Sequence, residues 1–149
     1  CFVAGPLVDA PVRVCDQPVG AVDVWRTVRD MTGAKELPGM IPAGLFIDSV
    51  SFLPLLADAH AVGARKYAFS EIFTPIGNPA WCPMGTLQRM ITDGKWKLIR
   101  TGTPGVEELY RIDLDPMEQT NLLPAPSIQV QRRYLELRTE LDRLILSPG

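Results

Sequence analysis

One histidine, three cysteines and no long apolar run mark this chain of 149 residues. A lone His60 excludes any zinc site built from several imidazoles. Its surroundings, Ala57-Asp58-Ala59-His60-Ala61, hold no partner motif, so His60 is expected in a loop or at a helix end. Cys1, Cys15 and Cys82 lack metal-ligand spacing and cannot all pair within one chain, and they read as ordinary thiols. The longest apolar stretches, such as residues 50–57, are broken by Ser51 and Pro54 and fall far short of the roughly 20 residues that a spanning helix requires. No basic start followed by an apolar run and a small-residue cleavage site is visible, so no signal peptide is read and the compartment stays open. The 15 basic and 17 acidic side chains nearly cancel, which leaves no field of one sign to draw nucleic acid or an anionic membrane. Neither is expected as a partner. A Gly-x-Ser-x-Gly elbow, internal repeats and low-complexity tracts are also missing.

What is present suffices for a real core, since 46% of the residues are apolar. Pro6, Pro11 and Pro18 keep the first twenty residues extended or turning. Residues 21–31 then place Val24, Val28 and Met31 at helical spacing ahead of Gly33, a natural stop, and predict a helix over about 21–32. A loop rich in Pro and Gly follows over 34–50, and residues 51–57 suit one helical turn or two.

Sheet character begins at 66–73, where Tyr67, Phe69, Glu71 and Phe73 share one face at period two. Residues 74–85 form a long loop. Strands over 87–92 and 95–101 flank Asp93-Gly94, which suits a type I′ hairpin turn. Thr103-Pro104-Gly105 turns the chain into a fourth strand over 109–114, followed by an Asp115-Pro116 turn and a short polar helix, with Asp115 accepting backbone hydrogen bonds. A long helix over 127–146, capped by Ser127, aligns Val130, Tyr134, Leu137, Leu141 and Leu144. The expected class is α+β: a four-stranded antiparallel sheet packed against a long C-terminal helix, preceded by a loop-rich segment with a short helix. The division falls between residues 1–60 and 61–149.

The order of these pieces resembles the C-terminal region of sulfatases of the alkaline phosphatase superfamily. Glu108-Leu109-Tyr110-Arg111-Ile112 with Asp115-Pro116, Glu118 and Asn121-Leu122 is similar to "ELYDL" leading into "DP.E..NL". Residues 18–28 resemble "PVS..D..PT", residues 47–56 resemble "DG.SL.PLL", residues 66–71 resemble a strand ending "F.E", and residues 89–99 resemble "R.IR...YKLI". Arg26, Ser49 and Trp96 depart from the usual proline, glycine and tyrosine. The resemblance implies a parent sulfuric ester hydrolase that carries a divalent cation, commonly calcium, and a formylglycine nucleophile in a larger N-terminal domain.

None of that chemistry is encoded here. Formylglycine arises within a Cys/Ser-x-Pro-x-x-Arg motif, yet two places after Cys1, Cys15 and Cys82 stand Val3, Gln17 and Met84. Ser49, Ser51, Ser70, Ser127 and Ser147 have no proline at that offset either. Asp113, Asp115 and Glu118 are too few oxygen ligands for a hard cation and read as a turn and cap. Trp96 and Leu98 share a face, so the basic hairpin of Lys95, Lys97 and Arg100 reads as core packing rather than a nucleic-acid clamp. Glu71 suits a salt bridge to Arg89 or Arg111, or a place at a parent enzyme's cleft. No catalytic, cofactor or metal residue is assigned, and the chain alone is expected to be inactive. The expected partner is an absent catalytic domain, or a second copy. A lone chain would expose Val22, Trp25, Phe46 and Phe52 unless something covered them.

Overall fold

The computed structural model describes residues 3–10, 12–35, 47–73, 87–102 and 105–146. The expected loop over 74–85, most of that over 34–50, the Thr103-Pro104 turn, the chain end at 147–149, and Cys1, Cys82 and Phe46 lie outside them. The chain divides into two units, Cys1–Lys66 and Tyr67–Pro148.

The first unit holds α1 (Asp23–Thr32) and α2 (Leu53–Ala57), and its other described residues form turns, bends and irregular segments. Asp23 carries the start of α1: its Oδ2 accepts the Gly20 N–H at 2.7 Å, which ties back the turn ahead of the helix as in a capping box. Gly33 ends it with φ 66°, and the Ala34 N–H reaches the Arg29 carbonyl, a Schellman-type close that only a residue tolerant of positive φ permits cheaply. The predicted helix is therefore present, two residues shorter at its start. Its apolar stripe, however, is turned outward. Val24, Val28 and Met31 are 48%, 51% and 43% exposed, while the buried positions are Asp23 and Thr27.

The second unit holds β1 (Ala68–Phe73), β2 (Leu87–Thr92), β3 (Lys97–Gly102), β4 (Gly105–Tyr110) and α3 (Ile128–Leu146). The strands lie in the order β1-β2-β3-β4, every neighbour antiparallel. The class is α+β as expected, with a four-stranded antiparallel sheet and a long C-terminal helix. Register places Phe69, Ile91, Leu98 and Leu109 in one row. Ile91, Leu98 and Leu109 in that row are buried against Leu137 and Leu141 of α3, with Trp96 beside them. Val130, Tyr134 and Leu144 complete the predicted stripe around this core. Ser127 accepts the Val130 N–H and caps α3.

Three local expectations are corrected. The fourth strand spans 105–110, not 109–114, because its ladder runs from Gly102↔Gly105 to Lys97↔Tyr110 and β3 offers no further partner. Beyond Tyr110 the chain turns, and no helix follows Pro116: Asp115 instead accepts the Gln119 and Thr120 N–H groups at 3.1 and 2.9 Å and holds an irregular turn. The hairpin between β2 and β3 is not type I′, which needs positive φ at both central residues. Gly94 alone has it, at 89°. Asp93 stays in the ordinary region because its side chain accepts the Lys95 and Trp96 N–H groups.

Candidate functional site

Two polar clusters are candidates for function, one in each unit. In the first unit, Asp23 is 1% exposed. Arg65 meets it with two parallel hydrogen bonds, Nε to Oδ2 at 2.8 Å and Nη2 to Oδ1 at 2.6 Å. The Val50 N–H adds a bond to Oδ1 at 2.8 Å. Burial opposes ionisation of Asp23, but the Arg65 guanidinium and the Val50 and Gly20 N–H groups outweigh it and hold the carboxyl below its usual range. The same bidentate contact with Asp23 raises the Arg65 pKa. Arg65 also donates to the Asp48 carbonyl at 2.6 Å. One turn along α1, Thr27 Oγ1 donates to the Asp23 carbonyl and accepts the Phe52 N–H at 3.0 Å. Asp23, Thr27 and Arg65 thus lock the 48–52 segment to α1. Asp23 and Thr27 occupy the "D" and "T" of the helix motif, which is the signal that singles them out; nothing in the motif pointed to Arg65.

In the second unit, the row next to the core crosses all four strands as Glu71↔Arg89↔Arg100↔Glu107. Glu71 pairs with Arg89 at 2.5 Å, the salt bridge expected of it. Arg100 pairs with Glu107 and with Asp142 of α3, each at 2.7 Å. Burial disfavours the Arg100 cation, yet Asp142 and Glu107 overcome it and raise its pKa. Tyr134 donates to Glu107, and burial together with that carboxylate raises the phenol's pKa. Arg138 stands 3.9 Å from Glu107 and 4.0 Å from Asp142. Three guanidiniums and three carboxylates are mutually neutralised here. Such a network orients strands and helix, but it leaves no poised base or nucleophile.

The remaining sequence candidates are dispersed. His60 lies in the turn after α2, its N–H on Asp58, as a loop residue was expected to be. Cys15 is an exposed free thiol. Asp113 pairs with Arg111, Glu118 with Lys97, and Asp115 holds its turn, so the three share no cation site. Trp96 is 5% exposed within the core, under the Arg111 guanidinium at 5.4 Å, and is not available to stack on a base. Val22 and Trp25 are exposed, as expected of an uncovered chain, whereas Phe52 is half-buried. Among the described residues no cluster of three or more His, Cys, Asp and Glu gathers to hold a metal, and no helix is long and apolar enough to cross a membrane.

No family model and no curated protein matches the chain. Solved structures do. A Bacteroides thetaiotaomicron VPI-5482 protein assigned as a sulfatase shares 25% identity over 83% of this chain and 24% of its own, with a TM-score of 0.61. A 2-O GAG sulfatase shares 24% identity over 95% of this chain and 28% of its own, with a TM-score of 0.68. A third structure, solved in complex with its substrate D-glucosamine-2-N,6-O-disulfate, shares 21% identity over 82% of this chain and 23% of its own, with a TM-score of 0.61. Matched over 82–95% of its length, this chain has a sulfatase-like fold and spans about a quarter of the length of the sulfatases it resembles.

Proposed function

We propose that this chain is the C-terminal, non-catalytic part of a sulfatase-like hydrolase, covering the catalytic body and shaping the entrance to its active site. The observation that carries this reading is the match of most of the chain to only 23–28% of each sulfatase. A second observation supports it: no Cys/Ser-x-Pro-x-x-Arg motif occurs in the sequence. Hydrolysis of a sulfate ester needs an activated nucleophile and electrostatic stabilisation of the charge that develops on the sulfuryl oxygens. The two polar clusters supply neither. In this reading the nucleophile, the divalent cation and the sulfate ester site belong to the parent enzyme.

The test is to read the coding DNA ahead of Cys1. An open frame carrying Cys-x-Pro-x-x-Arg supports the reading, and a start codon just upstream overturns it. The chain expressed alone is expected to give no turnover of an aryl sulfate.

The exposed apolar residues of α1 favour a second reading, a free-standing module derived from a sulfatase tail that associates with itself. Sedimentation at micromolar concentration separates the two: a dimer supports the module, whereas a monomer that binds a hydrophobic dye supports the uncovered part of a larger enzyme.

A further inference from the structure

We propose that Asp93-Gly94, the bend between β2 and β3, is a latent site of isoaspartate formation that the folded hairpin holds shut and that unfolding of the hairpin opens. It is such a site whether or not a catalytic body precedes the chain. Asp93 is the only aspartate in the sequence followed by glycine. Glycine has no side chain to screen its nitrogen and leaves the backbone freest to turn. In such a pair the Gly94 nitrogen attacks Asp93 Cγ. An N–C bond forms, a carboxyl oxygen leaves as water with the amide and carboxyl protons, and a five-membered succinimide results. One water then opens the ring. Cleavage at the former main-chain carbonyl leaves Gly94 attached through Cγ, as isoaspartate, and cleavage at Cγ restores aspartate. One water leaves and one enters, so the sequence of steps needs no oxidant or cofactor.

Both reacting groups are tied down in the folded hairpin. The Gly94 N–H donates to Thr92 Oγ1 at 3.0 Å, and Asp93 Oδ1 accepts the Lys95 and Trp96 N–H groups at 2.9 and 2.7 Å. The Asp93 N–H closes the bend on the Trp96 carbonyl at 3.2 Å, and the ladder resumes at once with Thr92↔Lys97 and Ile91↔Leu98. Ring closure requires the Asp93 side chain to swing back over the Gly94 nitrogen and that nitrogen to give up its proton, which breaks all three side-chain bonds. Solvent is no obstacle, since Gly94 is exposed and Asp93 half-buried. The product, moreover, cannot rebuild the hairpin. Isoaspartate lengthens the main chain by one carbon between Thr92 and Gly94 and moves the carboxylate away from the two N–H groups it held. Trp96 stands two residues further on, packed with Ile91 and Leu98 in the core, where a displaced backbone is tolerated least. A passing opening of the hairpin is thereby converted into lasting damage.

The experiment ages the whole chain in neutral buffer with and without urea. Isoaspartate at position 93 is read by methyl transfer from S-adenosylmethionine with an isoaspartyl carboxyl methyltransferase, and is located by peptide mapping. In urea it is expected to accumulate at least about tenfold faster than in buffer. Thr92→Val frees the Gly94 N–H and is expected to age several-fold faster than the wild type in buffer and at the wild-type rate in urea. Thr92→Ser keeps the hydroxyl and should age as the wild type does in both. Equal wild-type rates with and without urea overturn the proposal, as does the absence of isoaspartate at position 93 in urea. A Thr92→Val chain that keeps the wild-type urea midpoint yet ages no faster in buffer overturns it as well. Should Thr92→Val fail to fold, the wild-type comparison decides by itself.

Discussion

Arg65 grips Asp23 across 42 residues of sequence with two parallel hydrogen bonds of 2.8 and 2.6 Å, and this pair sets which side of α1 faces inward. A planar guanidinium matches a carboxylate in this bidentate way, and an ammonium does not.

Asp23→Ala leaves the Arg65 guanidinium in place without its main partner and is expected to cost about 3–5 kcal/mol. Arg65→Lys keeps the charge, loses the fork and should fall in between. Hydrogen exchange of the α1 amides reads both, with the wild type slowest. Equal exchange in Asp23→Ala and wild type would show that the lock is dispensable.

Acid should release the same lock. The Asp23 pKa is lower in the folded chain than in the unfolded one, so its contribution is fully present above the unfolded value, near pH 4, and is lost as the pH falls through the folded value. Protection of α1 should drop below about pH 4 in the wild type. Asp23→Asn should lack this acid-dependent component and be less protected at pH 7.

The second unit should respond at the opposite end of the pH scale. Burial and Glu107 raise the Tyr134 pKa, which favours the neutral phenol in the fold. That contribution is present below the unfolded value of about 10 and is lost as the pH rises through the folded one. Ultraviolet titration should show Tyr134 ionising late, and Glu107→Gln should bring its titration earlier.

Core packing gives a contrast within one helix. Leu141→Ala removes a side chain with no exposed surface and should cost about 2–5 kcal/mol, whereas Leu135→Ala, at a site 52% exposed, should stay within about 0.5 kcal/mol. Urea unfolding followed by tryptophan fluorescence, with Trp96 in the core as the reporter of this unit, in a Trp25→Phe, Trp81→Phe background measures both.

Gly105 is required by its neighbour rather than by its own backbone. A Cβ there would stand 2.4 Å from Arg100 Cγ and 3.1 Å from the Gly102 carbonyl oxygen. Gly105→Ala must therefore displace Arg100 from Glu107 and Asp142, and a loss of about 1–3 kcal/mol is expected in the same unfolding measurement. Arg100→Ala combined with Gly105→Ala should lose less than the sum of the two single changes, because the first removes what the second strikes.

Periodicity and turn chemistry in the sequence alone determined much of the second unit. Alternation in 66–73 and 87–101, Asp93-Gly94 between two strands, Ser127 ahead of a four-three-four-three stripe, and the order of five sulfatase-like pieces are all local patterns. They led to the class, the hairpins, the capped helix and its core face, and the missing Cys/Ser-x-Pro-x-x-Arg motif was legible by inspection. Register and burial were not local. Leu109, Ile112 and Leu114 suit a strand by themselves, but β4 ends at Tyr110 because β3 supplies hydrogen-bond partners only that far. Glu71 reads as one acid beside two aromatics until pairing aligns it with Arg89, Arg100 and Glu107. Helical spacing showed that α1 has an apolar side, yet spacing carries no information about which side finds cover. That was decided by Arg65, Val50 and Phe52, residues 25 to 42 positions away whose hydrogen bonds hold Asp23 and Thr27 inside and leave the valines facing out.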